Sequence, residues 1–565
     1  MAWVALGSLV AASLCLRAWA ALAVPSPWMS PDEESYAAIG RGLWHGEGLS
    51  VLGHPAGYLS LFYPLFIGLP LSLSDVRLGY DLAKVGQAAA MSLAAVPVYL
   101  WGRSLMPRAY AVLAAALTLA LPGLAYSGFL MTETLFYPVF VLAAWAMAAT
   151  LTRPTLLNQL LLVGALALAV GTRLQAVVLV PAFLLAAVIL VALERRVSLL
   201  RALAPFLLAI VVLSAGWLGL TLGQGRSPLG AYGVTGSVSY SLTAALRFSL
   251  YHLADVILVV AFAPAVALAI LVAEAARGRE ASSGARAFLA VTVSLTLALV
   301  AEVGLFTSRL LGRLGERYLL GLAPLFFLGF SLWLARGAPR PRATTIASLV
   351  VALALLATLP VRFFSEAAEP DAYSAIPLYH LTVAYPGTDV RLFLFAIAVD
   401  LALLVLLVPR RHAWTIAAAV GALLAGSSLY VSGIVRDQAR GFESVMIGPQ
   451  PTWVDRYADG PVAFVYSGEV SWSAGSPAWV HLFWNSRIDR VYVLNGAVVA
   501  GPLPVISAEL EPDHAIRLAG RTSEAPPPFA VAGTGVVLAG TRVATSANGQ
   551  WTLWRLSSKP PAVVE

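Results

Sequence analysis

Charged residues are scarce in this chain of 565 residues, and their scarcity sets the class of protein. Only 12% of the residues are charged and 59% are hydrophobic, whereas soluble proteins contain roughly 25% charged residues. Apolar stretches of about 20 residues, the length of a membrane-crossing helix, recur from the N-terminus to residue 433. The sequence therefore predicts a polytopic α-helical membrane domain over residues 1–433.

Cysteines and nucleotide-binding motifs are also lacking. The single cysteine, Cys15, lies in the first apolar stretch, which excludes a disulfide framework or a cysteine-based metal site within one chain. There is no Gly-rich phosphate loop of the Walker type and no Gly-x-Ser-x-Gly, so nucleotide hydrolysis has no support. His45 and His54 are weak evidence for a metal. We predict no certain cofactor and no metal ligands, and a divalent cation bound by carboxylates stays open.

The basic residues indicate orientation rather than a partner. The net charge of +7 would suit nucleic acid, but the arginines between apolar stretches fall in alternate short loops with few acids, as cytoplasmic loops do. We therefore predict no nucleic-acid partner. These arginines are Arg103, Arg108, Arg153, Arg195, Arg196, Arg201, Arg277, Arg279, Arg286, Arg336, Arg340, Arg342, Arg410 and Arg411.

About 13 membrane spans are predicted from these stretches. They lie near residues 2–24, 81–101, 109–127, 133–151, 157–172, 175–193, 203–222, 253–274, 287–306, 317–335, 343–360, 392–408 and 413–433. The N-terminus is then cytoplasmic and the C-terminus external, in the plasma membrane. A cleaved signal peptide is the alternative for the first span, but its start lacks a positive charge and Arg17 interrupts it, which favours an uncleaved helix. The large external segments are 25–79, 223–252 and 361–391.

A small external α/β domain is predicted over residues 434–565, where the composition changes and apolar runs are too short to span. Strands are predicted at 461–467, 490–494, 529–539, 541–544 and 550–556, a helix at 479–486, and a hairpin turn at Asn548-Gly549. The tryptophans of this segment either stack on sugars or form its core. They are Trp453, Trp472, Trp484, Trp551 and Trp554.

Three adjacent carboxylates follow the first span in the stretch WMSPDEESY at 28–36. A purely structural interpretation is available, because Ser30, Pro31 and Glu33 fit a helix-capping box. That interpretation explains Glu33 better than Asp32, whose carboxylate it leaves able to point at a substrate. The stretch is therefore either a helix start or a catalytic loop.

Three further charged residues lie at predicted external helix ends, where a charge is expensive unless it is used or paired. Glu133 opens the fourth span, either as a helix cap beside Thr132 or as a second functional carboxylate. Lys84 can snorkel to the surface or bind a lipid phosphate. Arg173, at the tip of the short hairpin of spans five and six, has the same two interpretations.

The triplet Glu316-Arg317-Tyr318 precedes the tenth predicted span from outside. An internal Glu–Arg ion pair is one interpretation, and binding of a donor substrate is the other.

Several of these residues together resemble a known family. Asp32-Glu33-x-x-Tyr36, followed by an amphipathic helix and Tyr63-Pro64-Leu65, resembles the first-loop signature of the glycosyltransferase C (GT-C) superfamily. The members that it resembles include the dolichyl-phosphate-mannose–protein mannosyltransferase-like enzymes and the bacterial lipid A aminoarabinose transferases. Lys84, Thr132-Glu133, Thr172-Arg173 and Glu316-Arg317-Tyr318 agree with it, and the resemblance covers 1–433.

The resemblance implies transfer of a sugar from a polyprenyl-phosphate donor to an acceptor hydroxyl outside the membrane, with inversion. Asp32 would be the general base, with Glu33 beside it, and such a base is worth roughly 10²–10⁴-fold in rate. Lys84 and Arg173 would stabilise the departing phosphate. The remaining candidates for substrate binding are Tyr36, Glu133, Glu316, Arg317 and Tyr318. The stretch 53–58 lacks a double-proline element of the mannosyltransferases, so the sugar stays open, as does the acceptor (glycan, lipid or protein).

Two other functions compete with a transferase. A transporter or flippase of lipid-linked sugars should show repeats and polar residues at mid-membrane depth, whereas here the polar residues gather at external helix ends. A scaffold whose C-terminal domain binds an envelope partner would leave the external carboxylates dispensable.

Overall fold

The computed structural model describes residues 1–57, 60–225, 227–360, 371–387, 389–468, 473–519 and 526–557. Tyr58 and Trp472, which the sequence singled out, and the first part of the segment 361–391 lie outside these ranges. Backbone contacts divide the chain into two compact units. The first unit comprises Met1–Ala18, Gln87–Tyr126 and Thr132–Gly433, and the second unit comprises Trp19–Gly86, Ser127–Met131 and Ile434–Glu565.

Helices make up most of the described chain. They are α1 (Ala2–Leu22), α2 (Asp32–Trp44), α3 (Phe62–Leu71), α4 (Val76–Leu93), α5 (Ala95–Leu105), α6 (Arg108–Leu119), α7 (Glu133–Thr152), α8 (Leu156–Thr172), α9 (Leu179–Glu194), α10 (Ser198–Ala202), α11 (Ala204–Gly223), α12 (Val234–Ser237), α13 (Leu242–Val259), α14 (Ala263–Ala276), α15 (Ser283–Leu310), α16 (Ala323–Ala335), α17 (Arg342–Ala357), α18 (Ile376–Ala384), α19 (Val390–Leu407), α20 (Trp414–Met446), α21 (Trp453–Tyr457) and α22 (Ser476–Trp484). Helix α20 runs without a break across the predicted domain boundary at 433/434, so that boundary stays a prediction.

The helices are those of a multi-pass membrane protein. Among the described residues, 9 helical segments are long and apolar enough to cross a bilayer, or 10 if the bent pair Arg108–Leu119 and Pro122–Gly128 is one span. Five shorter apolar helices of 10–17 residues accompany them. The predicted class is confirmed but the count of 13 is not, because several predicted spans correspond to these short helices.

The structure corrects the bounds of one predicted span and of one predicted external segment. The span 253–274 is two helices, because α13 ends at Val259 and α14 begins at Ala263. Ala261 and Phe262 between them have φ angles of 56° and 63°. Pro264 has no N–H to continue a helix from Val260, and it lies instead in the first turn of α14. The predicted external segment 223–252 is helical in its last part, because α13 begins at Leu242. The start of α13 is capped by Ser241, whose side chain accepts from the Ala244 N–H.

A mixed seven-stranded sheet organises the C-terminal part of the second unit. Its strands are β3 (Val462–Tyr466), β4 (Ile488–Leu494), β5 (Val505–Leu510), β6 (Ile516–Leu518), β7 (Phe529–Gly533), β8 (Gly540–Thr545) and β9 (Trp551–Leu556), in the order β6-β5-β4-β3-β7-β9-β8. β3, β4, β5 and β7 pair in parallel, while β6, β8 and β9 join antiparallel. A small two-stranded ribbon, β1 (Ser50–Val51) and β2 (His54–Pro55), lies in the first loop.

The predicted α/β character of this segment is confirmed, with two omissions. The sequence analysis missed β5 and β6, most of whose residues are exposed or half-buried, so no buried apolar run marks them. The predicted strand 529–539 is shorter, ending at Gly533. The described tryptophans are buried, which confirms the core interpretation: Trp453, Trp484, Trp551 and Trp554.

Candidate active site

The carboxylate stretch forms the start of α2, in the second unit. The helix begins at Asp32 after Pro31, which makes no side-chain cap hydrogen bond, so Ser30 is not the N-cap residue. Asp32, Glu33 and Glu34 occupy the first turn, where the helix dipole favours negative charge. The three side chains nevertheless have different surroundings.

Both carboxylate oxygens of Glu33 accept hydrogen bonds from the main chain. Its side chain is fully buried, and Oε1 accepts from the main-chain N–H groups of Trp28 and Met29, both at 2.9 Å. Oε2 accepts from the Leu130 N–H at 2.8 Å. Burial raises the pKa of Glu33 to about 7, and the three main-chain donors limit that rise. With both oxygens engaged, Glu33 ties two loops together.

Asp32 differs from its neighbours in being accessible. It is half-buried, whereas Glu33 and Glu34 are buried. Of these three residues, Asp32 is the one that is partly exposed.

Glu34 was not predicted as a site residue, and the structure marks it as unusual. It is 2% exposed, and among the described residues no donor meets ordinary hydrogen-bond geometry with either of its oxygens. Burial, followed by the charge of Glu33, raises its pKa well above the usual range, and the nearby Ser30 hydroxyl offsets this only in part. Only the run of three acids pointed to Glu34 in the sequence.

The two halves of the first-loop signature meet in space. The rings of Tyr36 and Tyr63 pack edge to face with centroids 5.3 Å apart, so Tyr36 takes part in packing. Helices α2 and α3 cross closely at Gly40, where an added Cβ would lie 2.8 Å from the Pro64 carbonyl oxygen and 3.0 Å from the Gly68 Cα.

Lys84 does not snorkel. It is fully buried, and its ammonium group donates to the Val24 carbonyl at 2.8 Å and lies 3.1 Å from the Asp81 carboxylate. The same nitrogen sits 4.0 Å from the centroid of the Tyr80 ring. Contact with a phosphate would require Lys84 to exchange one of these partners.

An ion-pair network lies in the first unit. Glu133 Oε1 is 2.7 Å from Arg173 Nη1 and 3.8 Å from Arg317 Nε. Arg317 Nε is also 2.8 Å from Asp371 Oδ1, and Arg313 Nη2 is 2.5 Å from Asp371 Oδ2. Three guanidinium groups thus pair with two carboxylates. The sequence analysis named neither Arg313 nor Asp371, because nothing local marks a partner so far along the chain.

Tyr318 and Glu316 complete this region. The ring of Tyr318 has the guanidinium carbons of Arg173 and Arg317 at 4.8 and 4.9 Å from its centroid. Glu316 accepts from the Ser374 main-chain N–H at 3.0 Å and from the Ser374 hydroxyl. Burial raises the pKa of Glu316 to about 7. Glu316 is thus committed to Ser374, while Arg317 pairs with Asp371 and Glu133.

No group of three or more histidine, cysteine, aspartate or glutamate side chains is arranged to hold a metal ion in the part of the chain that the structure describes.

Thr132, the expected cap of α7, makes no cap bond, and its hydroxyl donates to Glu133 Oε2 at 3.2 Å.

The fold is found among solved structures. ArnT from Cupriavidus metallidurans in the apo state matches with a TM-score of 0.59 and 15% identity over 98% of this chain and 97% of ArnT. The structure of ArnT bound to undecaprenyl phosphate matches with the same TM-score and 16% identity over the same shares. The chain has the GT-C fold. No family model matches it, and no curated protein sequence does.

Proposed function

We propose that the protein is a membrane glycosyltransferase that moves a sugar from a polyprenyl-phosphate donor to an acceptor hydroxyl, with inversion. The observation that carries this proposal is the likeness to ArnT over 98% of this chain and 97% of ArnT, one structure of which holds undecaprenyl phosphate. A likeness over the whole length, rather than over a shared bundle of helices, favours a common arrangement of the site.

Asp32 is the proposed general base. Its carboxylate takes the proton of the acceptor hydroxyl while the acceptor oxygen attacks the anomeric carbon, and the bond from that carbon to the phosphate oxygen breaks. The polyprenyl phosphate departs with the electron pair. The accessibility of Asp32 beside two buried carboxylates supports this role.

The arginine network is the proposed binding site for the phosphate. Among the described residues, Arg173, Arg317 and Arg313 form ion pairs with Glu133 and Asp371. Clustered guanidinium groups attract an anion. Guanidinium groups suit phosphate because of their planar, bidentate donors.

The proposed orientation follows the arginine distribution, with the N-terminus in the cytoplasm and residues 434–565 outside. The reaction then takes place on the external face of the plasma membrane, within membrane lipids. The acceptor would be a glycan, a lipid or a protein that reaches this face.

The proposal is tested with purified wild type, Asp32→Asn and Asp75→Asn, incubated with a panel of polyprenyl-phosphate sugars and acceptors. Release of polyprenyl phosphate is followed by mass spectrometry. Asp75 is the matched control, since its carboxylate caps α4 through the Leu78 N–H at 3.0 Å, and asparagine caps about as well.

We expect release by wild type and Asp75→Asn, and a loss of about 10²-fold or more in Asp32→Asn at unchanged thermal stability. Equal release by Asp32→Asn would refute Asp32 as the base. Binding of the lipid donor without release by any of the three proteins would replace the transferase with a transporter of lipid-linked sugars.

A further inference from the structure

The C-terminal segment of the second unit contacts the part of the chain that precedes Asp32 in sequence. Trp484, the last residue of α22, donates its indole N–H to the hydroxyl of Ser26 at 3.0 Å. The ring of Trp484 also packs edge to face on Tyr80 with centroids 5.6 Å apart. Both Ser26 and Trp484 are fully buried, so this hydrogen bond is shielded from water.

Two further contacts lie next to Asp32 itself. The Ser473 hydroxyl donates to the main-chain carbonyl of Ser30 at 3.0 Å. Gly501 packs on Pro31, the residue before Asp32, so closely that an added Cβ would lie 3.1 Å from the Pro31 Cβ. Gly501 has a φ of 83°, which other residues adopt with difficulty.

The helix that follows Asp32 is held from the same segment. Arg41 on α2 donates through Nη1 to the Phe483 carbonyl at 2.9 Å, and through Nε to the Leu71 carbonyl at 3.1 Å. Its guanidinium carbon lies 4.9 Å from the centroid of the Phe483 ring. The C-terminal segment therefore fixes the chain both before and after Asp32.

We propose that residues 473–501 are a positioning element for Asp32, acting through Trp484, Ser473 and Gly501. The inference rests on the proposed role of Asp32 as the base. Rate depends steeply on the placement of such a group, since a displacement of about 1 Å can cost on the order of 10²-fold. The C-terminal segment thus affects the turnover rate through the placement of Asp32.

The test compares Trp484→Phe with Trp551→Phe. Both changes keep an aromatic ring and remove one buried indole hydrogen bond, since the Trp551 N–H donates to the Met446 carbonyl at 2.7 Å. We expect Trp484→Phe to lower kcat on the order of tenfold with the KM of the donor unchanged, and Trp551→Phe to leave kcat as in wild type at a similar loss of thermal stability.

A double-mutant cycle assigns the effect to the contact. Ser26→Ala removes the same hydrogen bond from its other side, so Ser26→Ala/Trp484→Phe should be no slower than either single variant. Independent, multiplicative losses would overturn the proposal, because they would show two separate structural defects.

Hydrogen exchange of the peptide that covers residues 26–36 gives a second measurement that needs no turnover. The main-chain amides of this peptide should exchange faster in Trp484→Phe than in wild type, and unchanged in Trp551→Phe. Equal exchange in all three proteins overturns the positioning role. Faster exchange in Trp484→Phe, together with no transfer by wild type, supports the positioning of the loop and rejects the proposed function instead.

Discussion

Glu33 and Glu34 show how two adjacent buried carboxylates can have different roles. Glu33 accepts three main-chain hydrogen bonds, so its burial is compensated. Glu34 is compensated less: among the described residues neither of its oxygens has a partner at ordinary hydrogen-bond geometry, and its own N–H and the Ser30 hydroxyl offset the rise of its pKa only in part. A buried charge with so little compensation is expensive. Glu34 therefore favours the protonated, neutral form, beside the accessible carboxylate of Asp32.

The state of Glu34 predicts a pH dependence of stability. Its pKa is raised in the folded protein above the ordinary 4.5, so the folded state holds the proton more tightly than the unfolded state. The contribution of Glu34 to stability is then greatest below about pH 4.5 and falls as the pH rises. We expect the melting temperature in detergent to decrease between about pH 5 and about pH 8.

The variant Glu34→Gln identifies the source of that decrease. Glutamine is neutral at every pH, so the slope should become shallower, though not flat, because burial also raises the pKa of Glu33 to about 7. Scanning fluorimetry across the pH range measures both slopes. A slope as steep as that of wild type would contradict the assignment to Glu34.

At Arg173 the proposed phosphate binding can be tested by a binding measurement that does not depend on sugar transfer. Arg173 is buried and pairs with Glu133 at 2.7 Å, so Arg173→Gln removes one positive charge from the proposed phosphate site. We expect binding of polyprenyl phosphate, measured by native mass spectrometry or fluorescence quenching, to weaken by about tenfold or more.

Arg286→Gln is the matched control for Arg173→Gln. Arg286 also forms a short ion pair, with Glu194 at 2.8 Å, but it lies in the first turn of α15, at the helix end that the arginine pattern predicts to be cytoplasmic. The affinity of the Arg286→Gln protein for polyprenyl phosphate should equal that of wild type. Equal weakening in both variants would indicate a general loss of structure rather than loss of a phosphate site.

The crossing of α2 and α3 is the element on which the geometry of the first loop depends. The backbones approach so closely at Gly40 that an added Cβ would lie 2.8 Å from a carbonyl oxygen and 3.0 Å from a Cα, and backbone atoms cannot move aside as a flexible side chain can. We expect Gly40→Ala to destabilise the protein by about 1–3 kcal/mol. Thermal unfolding of the purified variant measures this change.

Gly164→Ala provides the comparison within another helix. Gly164 lies in α8 with no atom within 4 Å of an added Cβ, so alanine should stabilise this helix by about 0.5–1 kcal/mol. The two substitutions are chemically identical and have opposite expected signs. A melting temperature of Gly40→Ala at or above that of wild type would contradict close packing of α2 on α3.

The elements that could be predicted from sequence are those with a local signature. The apolar stretches indicated the helices, and the β-branched runs around 462–466 and 488–494 indicated the central strands. The strands β5 and β6, which lack such runs, were missed. The break after Val259 was missed too. The apolar run continues through it, so the sequence pattern does not mark the positive φ angles of Ala261 and Phe262.

The sequence analysis named several residues of the candidate site but none of their contacts. Lys84 does not snorkel, because it is buried between Val24 and Asp81, and its phosphate-binding role stays a prediction. Ser26 and Trp484 are 458 positions apart in sequence, and no local pattern pairs them. Contacts of this kind depend on the tertiary fold, which composition and periodicity do not encode.

At the scale of the whole molecule, the orientation in the membrane decides whether the proposed reaction is possible. Asp32 and residues 434–565 belong to the same unit, so this unit must face the compartment in which acceptor and lipid-linked donor meet. The arginine-rich loops should face the cytoplasm. Two exposed valines can test these expectations: Val197, in an arginine-rich loop, and Val498, in the C-terminal segment, are 62% and 70% exposed.

Cysteine labelling in intact cells tests this orientation. In a Cys15→Ser background, which removes the exposed native thiol, a membrane-impermeant maleimide should label Val498→Cys directly and Val197→Cys only after the membrane is permeabilised. Labelling of both after permeabilisation shows that both thiols are reactive, and so serves as the control. The reverse pattern would place Asp32 on the cytoplasmic side, and an external transfer with Asp32 as base would then be impossible even if Asp32→Asn abolished activity.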